Sequence, residues 1–578
     1  MNPKLLHVLL VGAAVVIFAL SCVLLSRGRR SPSCESQPRT EQETGSTSQS
    51  LVFADLTPAE LAQVVRYLQG HLGLRLVDAA HANPSDNCIA SVELQVPAKA
   101  EVLQFLDGAG ARPPREALAV LYFGDQPDPN VTEYVVGPLP TPAYHRDVTV
   151  RRYGGKVPYH RRPMLGTEYE QVGAFLKTVA FAAAPTFLKE VLEYDSTNVA
   201  FQSAAPHGFQ SGDRKSWFAL FQNVSGFFVH PVGLEVLVDH SSLDTSRWAN
   251  LGSPLRRHYS NLQSLYYGGL VNSALVVRSI ATVSSHDYVW DFIFYQNGAI
   301  EGKVQATGYA SSSFLYGDGL RYGNRVWDHT LGTIRTHFIN YKVDLDVGGV
   351  KNSLVAHDMA FEVVRAPWNP EQQIERPRLT KKVLDTEDQA AFRLQAKMPR
   401  YIYFAANSKN KWGHQRGYRI QVTSSAGDHV PEASSMERAI SWARYQLAVT
   451  RRKEEEPTST SIYNQNDPWT PTVAFADFIN NETITNEDLV AWITAGFLHI
   501  PHSEDIPNTV TVGNSVGFLL RPYNYYDLDP SIYSHDGVFF TSEQDFTACE
   551  VNPVACLPQT ASCLPNFPPF TYDGFQNM

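Results

Sequence analysis

From about residue 255 onward this 578-residue chain is written in the two-residue period of β-strands, and that pattern limits its body to a large sheet structure. Successive side chains of a strand point to opposite faces, so apolar and polar residues alternate wherever one face is buried. Phe338 to Val347 alternates over a long run, and Trp290 to Tyr295 and Ala299 to Ala306 flank Asn297-Gly298, the strongest short hairpin signal. Tyr401 to Ala405, Tyr418 to Val422 and Val516 to Leu520 extend the pattern, which predicts a large β-sandwich over 255–578.

The part before it mixes the two periods. Thr57-Pro-Ala-Glu60 is a helix start, with Thr57 as cap, Pro58 in the first turn and Glu60 closing a capping box. Leu61, Val64, Val65 and Leu68 make one apolar face, and Gly70 is the expected end. Val92, Leu94 and Val96 alternate as a strand, and Ala117 to Phe123 forms a second, with a helix between. Residues 54–141 therefore read as a small α+β domain, bounded by the Gly-Pro-Leu-Pro-Thr-Pro run at 137–142. A second α+β region, 142–248, has a helical pattern near Glu168 to Leu192 and strands at Trp217 to Phe221 and Leu234 to Val238.

At the N-terminus, Leu5 to Leu25 is an uncharged apolar run long enough to cross the roughly 30 Å hydrocarbon layer as a helix. It predicts a tail (1–4), a single span (5–25) and a polar, Ser- and Glu-rich stalk (26–53) that cannot bury enough surface to fold. Arg27, Arg29 and Arg30 after the span favour a cytosolic body by charge count. The sequons at Asn130, Asn223 and Asn481, and five cysteines beyond the span (Cys34, Cys88, Cys549, Cys556, Cys563), favour an extracellular one. The expectation is a single-pass type II protein of the plasma membrane. Net charge of -10 without a basic cluster argues against a nucleic-acid partner.

The stretches VVRSIATVSSHDYVWDFIFYQNGAIE, HTLGTIRTHFINYKVDLDVGGVKNS, SIYNQNDPWTPTV and DLVAWITAGFLHIPHSEDIPNT resemble the copper-containing amine oxidases, over nearly the whole ordered chain. The resemblance implies two leading α+β domains, a catalytic-type β-sandwich, and oxidation of primary amines to aldehydes with release of ammonia and hydrogen peroxide. In that family the chemistry belongs to topaquinone, which copper generates from a tyrosine of the chain, and the protein supplies metal, base and orientation.

Against the family run Thr-x-x-Asn-Tyr-Asp-Tyr, Thr282, Asp287 and Tyr288 are in register, but the Asn is Ser285 and the precursor tyrosine is His286. An imidazole cannot be oxidised to a quinone. Tyr288 stands two residues further along, about 7 Å away at roughly 3.3 Å per residue, too far to substitute. The family's copper ligands, His-x-His and a distant third, read Arg335-Thr-His337 and His499. Arg offers no lone pair, so two of three ligands remain and family-type copper binding is expected to be weak. The join Ala249 to Pro254 is also much shorter than the family's, and the part it lacks carries the proton-abstracting aspartate.

Other implied features are intact. One calcium set would be Asp344, the Leu345 carbonyl, Asp346, Asp488 and the Leu489 carbonyl; a second would be Glu387, Glu456, the Phe478 carbonyl, Asn480 and Glu482. Cys549 and Cys556 match a disulfide and Cys563 an inter-subunit bridge, implying a covalent homodimer.

His286 admits two readings. It could join His337 and His499 as a three-histidine zinc or copper site, or it could be a leftover side chain in a dead pocket. The Arg335 cation, expected within the same cluster, speaks against the metal. Arg451 to Glu455 reads as a solvated loop, His502 as a surface or outer residue, and His145, His160, His207 and His258 as structural. The function expected is a catalytically defective family member with an adhesion or binding role. The alternatives are an active oxidase with copper and quinone, and an unstable product of an incomplete gene.

Overall fold

The computed structural model describes residues 52–176, 199–203, 211–212, 214–225, 228–238, 256–258, 266–270, 274–366, 369–509, 515–530 and 537–541. Among these no helix is long and apolar enough to cross a membrane, and the run Leu5 to Leu25 lies outside them, as do Cys549, Cys556 and Cys563.

Helix α1 (Pro58–His71) begins as its sequence dictates: the Thr57 hydroxyl accepts from the Glu60 N–H, and the Glu60 carboxylate accepts from the Thr57 N–H at 2.9 Å. Its end differs. Gly70 lies inside the helix and the chain leaves at Leu72, because the Leu72 N–H still reaches the Leu68 carbonyl. Strand β1 (Asn87–Gln95), helix α2 (Lys99–Leu106) and strands β2 (Glu116–Phe123) and β3 (Asn130–Gly137) follow as expected. The sheet does not stop at the proline run, however. Strands β4 (Tyr144–Asp147) and β5 (Val157–Pro158) both pair with β3, so the turn through 138–143 is a hairpin connection within one sheet. Val64 and Leu68 of α1 pack on Ala117, Ala119 and Leu121 of β2.

Next come α3 (Gly166–Phe175) and an antiparallel sheet of β6 (Val199–Ser203), β7 (Ser216–Ser225) and β8 (Phe228–Val238). The large body then contains β9 (Ala274–Val283), β10 (His286–Tyr295), β11 (Ile300–Gly308), β12 (Arg335–Asp344), β13 (Asn352–Ala366), β14 (Asn369–Leu384), β15 (Tyr401–Lys409), β16 (Gln415–Thr423), β17 (Tyr445–Arg451), β18 (Leu489–His499) and β19 (Ser515–Tyr523). One sheet runs β9-β10-β11-β19-β16-β15-β13-β14, and the facing sheet runs β12-β18-β17 and ends on the short strand Ala391–Arg393. The core between them joins Val304, Phe404 and Phe518 of the first sheet to Ile339, Leu447 and Ile493 of the second. Burying each such side chain contributes roughly 1.5–3 kcal/mol. The Asn297-Gly298 hairpin forms with Gly298 at φ 79°, a conformation in which a Cβ would be strained. A second, smaller unit is a three-stranded sheet of Arg256–His258, Tyr266–Leu270 and Gly537–Thr541.

Candidate functional site: a histidine pocket and a carboxylate cluster

His286 opens β10 directly after a tight turn in which Val283 pairs with His286. Ser284 takes a left-handed backbone there, φ 55°, and Gly308 lies so close that a Cβ on it would meet the Ser285 carbonyl oxygen at 2.5 Å. Position 286 follows that turn and is buried. From the opposite sheet, β12 contributes His337 and the last residue of β18 is His499. The three imidazoles meet, with ring centroids 4.7 Å (286–337), 6.1 Å (286–499) and 5.8 Å (337–499) apart. One ring nitrogen of each lies within 4.8 Å of the other two.

All three are buried, at 4%, 8% and 6% exposure. Burial, then the neighbouring imidazoles, then Arg335 push His286 down to about 3. Burial, His499 and Arg335 take His337 down to about 4. Both rings are therefore neutral at physiological pH. Each ring has one nitrogen near an oxygen: His286 Nδ1 is 3.1 Å from Ser285 Oγ, His337 Nδ1 is 2.7 Å from Tyr288 Oη, and His499 Nε2 is 2.9 Å from Asp505 Oδ2. His286 Nε2 and His337 Nε2 are buried with no hydrogen-bond partner. His337 is held flat against Phe497, with centroids 4.5 Å apart.

Arg335 and Tyr288 both bear on this pocket. Arg335 pairs with His499 across the ladder at an exposed strand end, and its charge still acts on His286 and His337. Tyr288 is indeed remote from His286 by ring, with centroids 6.3 Å apart, yet its side chain tilts across to bring the hydroxyl onto His337. Backbone spacing alone could not register that reach.

The first expected calcium set is also brought together: carboxylates of Asp344, at the end of β12, and of Asp346 and Asp488 converge. Between them stands the ammonium of Lys99 from α2, at 2.7, 2.9 and 2.8 Å. The sequence offered no signal for it, since Lys99 is 245 residues away from Asp344. Burial disfavours the Asp344 carboxylate, but Lys99 and Arg452 outweigh it and hold its pKa below the usual value. For Asp488, burial wins over Lys99 and raises it.

In the run 451–455, expected as a solvated loop, Arg451, Glu454 and Glu455 are exposed, but the run is also tied to both carboxylate sets. Arg452 binds Asp344 at 2.8 Å, Glu454 accepts the Lys99 N–H at 3.1 Å, and Lys453 pairs with Glu456 and Glu482 of the second set. Glu387 there is fully buried and accepts the N–H groups of Arg451 and Asn480. In kind, these oxygen donors fit a hard divalent ion, and lysine ammoniums compete for the same oxygens.

His502 is exposed and shares Asp505 with His499, and His160 pairs with the buried Asp467. Cys88 is a buried free thiol, which burial pushes up to about 11. The sequon residue Asn481 is exposed, whereas Asn130 is part-buried with its Nδ2 donating to the Asp128 carbonyl.

A leading α+β pair, a two-sheet sandwich and a histidine pocket between its sheets together define the copper amine oxidase class. The enzyme-domain profile of copper amine oxidases matches residues 249–540, the N2-domain profile 59–145 and the N3-domain profile 169–257. The chain is 43% identical to human amine oxidase (copper-containing) 2 over 756 aligned positions that cover all of both proteins. It is 43% identical to mouse amine oxidase (copper-containing) 3, covering all of this chain and 99% of the mouse protein. This chain belongs to the copper amine oxidase family. Its fold is that of Pichia pastoris lysyl oxidase (TM-score 0.71, 19% identity, 86% of this chain and 93% of that one) and of Aspergillus nidulans amine oxidase (TM-score 0.69, 20% identity, 85% and 91%). Because 578 residues are spread over 756 positions, at least 178 positions of the human alignment have no residue in this chain.

The family's quinone requires a phenol as precursor, and the phenol at this pocket, Tyr288, has its hydroxyl on His337 Nδ1. Of Arg335, His337 and His499, only the two histidines offer a lone pair to a metal.

Proposed function

We propose that this chain is a copper amine oxidase family member that has lost the family's amine oxidation and acts through binding at the cell surface. One observation carries the reading: the side chain at the quinone-precursor position is an imidazole, His286, buried and neutral, with no ring that can be hydroxylated to topaquinone. The ligand change at Arg335 and the shortened join at 249–254 remove a copper ligand and the catalytic aspartate independently. The 178 unmatched positions support the latter.

The reading includes the domains 54–141, 142–248 and 255–578 behind the anchor at 5–25, with an extracellular body. It also includes glycans at Asn130, Asn223 and Asn481, a Cys549–Cys556 disulfide and an inter-chain Cys563. Calcium would be held by Asp344, Leu345, Asp346, Asp488 and Leu489, and by Glu387, Glu456, Phe478, Asn480 and Glu482, where it would cross-tie strands. A homodimer is supported by the row Met359, Phe361, Val363 and Leu379, exposed on the long β13–β14 hairpin.

The rival, an active oxidase, would need Tyr288 as precursor. Its hydroxyl is engaged by His337 Nδ1, while His337 Nε2 is buried without a partner, so the phenol is committed to a ring nitrogen other than the free one. The test is to purify the full-length protein, stain for redox-cycling quinone and measure peroxide released with benzylamine or methylamine. A folded, stain-negative, peroxide-negative dimer is expected. Quinone staining with amine-dependent peroxide overturns the reading, and an aggregate favours an unstable product of an incomplete gene.

A further inference from the structure

We propose that His286, His337 and His499 form a zinc-binding centre, with the side chain at the quinone-precursor position supplying the third imidazole. The proposal goes beyond the loss of oxidase chemistry, because it stands on metal content and not on turnover.

Three observations carry it. First, the nitrogens converge: one from each ring lies within 4.8 Å of the others, and a small closing of the rings would bring all three to the roughly 2.0–2.1 Å that zinc requires. Second, the pocket is divided consistently into an inner and an outer side. His286 Nε2 and His337 Nε2 are buried and without a partner, an arrangement that is costly unless something accepts those lone pairs. The outer nitrogens all have oxygens: Ser285 Oγ for His286, Tyr288 Oη for His337 and Asp505 Oδ2 for His499. If each outer N–H donates to its oxygen, every ring takes the tautomer whose free lone pair faces inward. That leaves Nδ1 as the available nitrogen of His499. Outer acceptors of this type orient metal-bound histidines and raise their basicity, and the Asp505 carboxylate adds negative charge that partly offsets the ion's. Third, Arg335, whose charge acts on these rings, is an exposed residue at the strand end, where water screens part of its repulsion of an ion.

Zinc is the ion chosen because three neutral imidazoles with one open position suit it, and it requires no redox partner. The centre would tie β10 of one sheet to β12 and β18 of the other, at the place where the family's reaction requires copper and quinone.

The test uses full-length protein in detergent, stripped with a chelator, dialysed against zinc and assayed by mass-spectrometric metal analysis. About one zinc per chain is expected. His286→Ala and His286→Asn, each with circular dichroism to confirm folding, should lose it. Asp505→Asn should weaken zinc affinity about 10–100-fold. Cobalt(II) in place of zinc should give the visible absorption of a tetrahedral site in the native chain and not in His286→Asn. A zinc-free native chain, or zinc retained unchanged in a folded His286 variant, overturns the proposal. Peroxide release measured on the same samples separates the two readings: peroxide from a zinc-loaded protein overturns only the loss of oxidase activity, and a zinc-free, peroxide-negative protein overturns only the zinc centre.

Discussion

The histidine pocket and the Lys99 carboxylate cluster lie on the same two strands, β12 and β18, at opposite ends, and they have solved the same problem differently. At one end Asp344, Asp346 and Asp488 converge, and a lysine from the leading domain meets all three carboxylates. At the other, three imidazoles converge and the two inward nitrogens of His286 and His337 have no partner. The charged end keeps partial solvent contact, with carboxylates 29–32% exposed. The neutral end is nearly sealed. A cluster of like charges must recruit a counter-charge to form at all, whereas a cluster of neutral donors can stay unsatisfied at a cost. One end is therefore a charged structural joint and the other a neutral pocket with unmet nitrogens.

The largest expected break in this comparison is by acid. His286 and His337 are depressed to about 3 and about 4, against an ordinary 6.5. Below pH 6.5 the unfolded chain binds protons that the folded one refuses, so stability is complete above 6.5 and falls as pH drops toward 4. Each histidine costs about 1.4 kcal/mol per pH unit in that window. Chelator-treated protein should show this in chemical denaturation at several pH values, and His286→Asn should flatten the slope by about half. An unchanged slope would mean the rings do not titrate as the pocket requires.

Next in size is Lys99→Ala. Removing the ammonium leaves three facing carboxylates, and the expected loss is about 1–3 kcal/mol, below the roughly 3–5 kcal/mol for breaking a fully buried pair because these carboxylates are partly solvated. Added calcium should recover most of the loss in the variant and bind it more tightly than the native chain, where ion and ammonium compete for the same oxygens. Equal calcium responses in both would show that the lysine and the ion do not compete.

Tyr288→Phe should cost about 1 kcal/mol in urea denaturation, the usual net value of one hydrogen bond. The smallest expected effect is that of His286→Tyr on oxidase activity, which should be none. Under the proposed loss of a copper ligand and of the catalytic aspartate, the phenol introduced there has neither metal nor base, and amine-dependent peroxide from this variant would break the account of independent losses.

Much of the fold was legible because it is local. The capping box at Thr57–Glu60, the hairpin at Asn297-Gly298 and the alternation of β12 follow from neighbours in the chain, and all three appear where the pattern puts them. The end of α1 at His71 and the sheet's continuation past the proline run were less legible. Gly70 could stay helical because the hydrogen bond from Leu72 to Leu68 forms, and β4 returns to pair with β3. At the site, residue identities were enough to flag His286, Arg335, His337 and His499. Their geometry was not. A rule based on strand spacing gave the separation of Tyr288 from His286 but missed its hydroxyl on His337, and a rule based on charge registered Arg335 without its exposed place at the strand end.

By itself, then, the sequence determined the family, the β-rich architecture and the absence of a phenol at position 286, since each depends on which side chains are present and at what short-range spacing. Only the tertiary structure decided that Lys99 meets the three aspartates, that Arg452 and Glu454 dock against that cluster, and that His286 Nε2 and His337 Nε2 are buried without a partner. Those contacts join residues from different strands and domains, and their distances are set by how two sheets pack, a quantity no local pattern encodes.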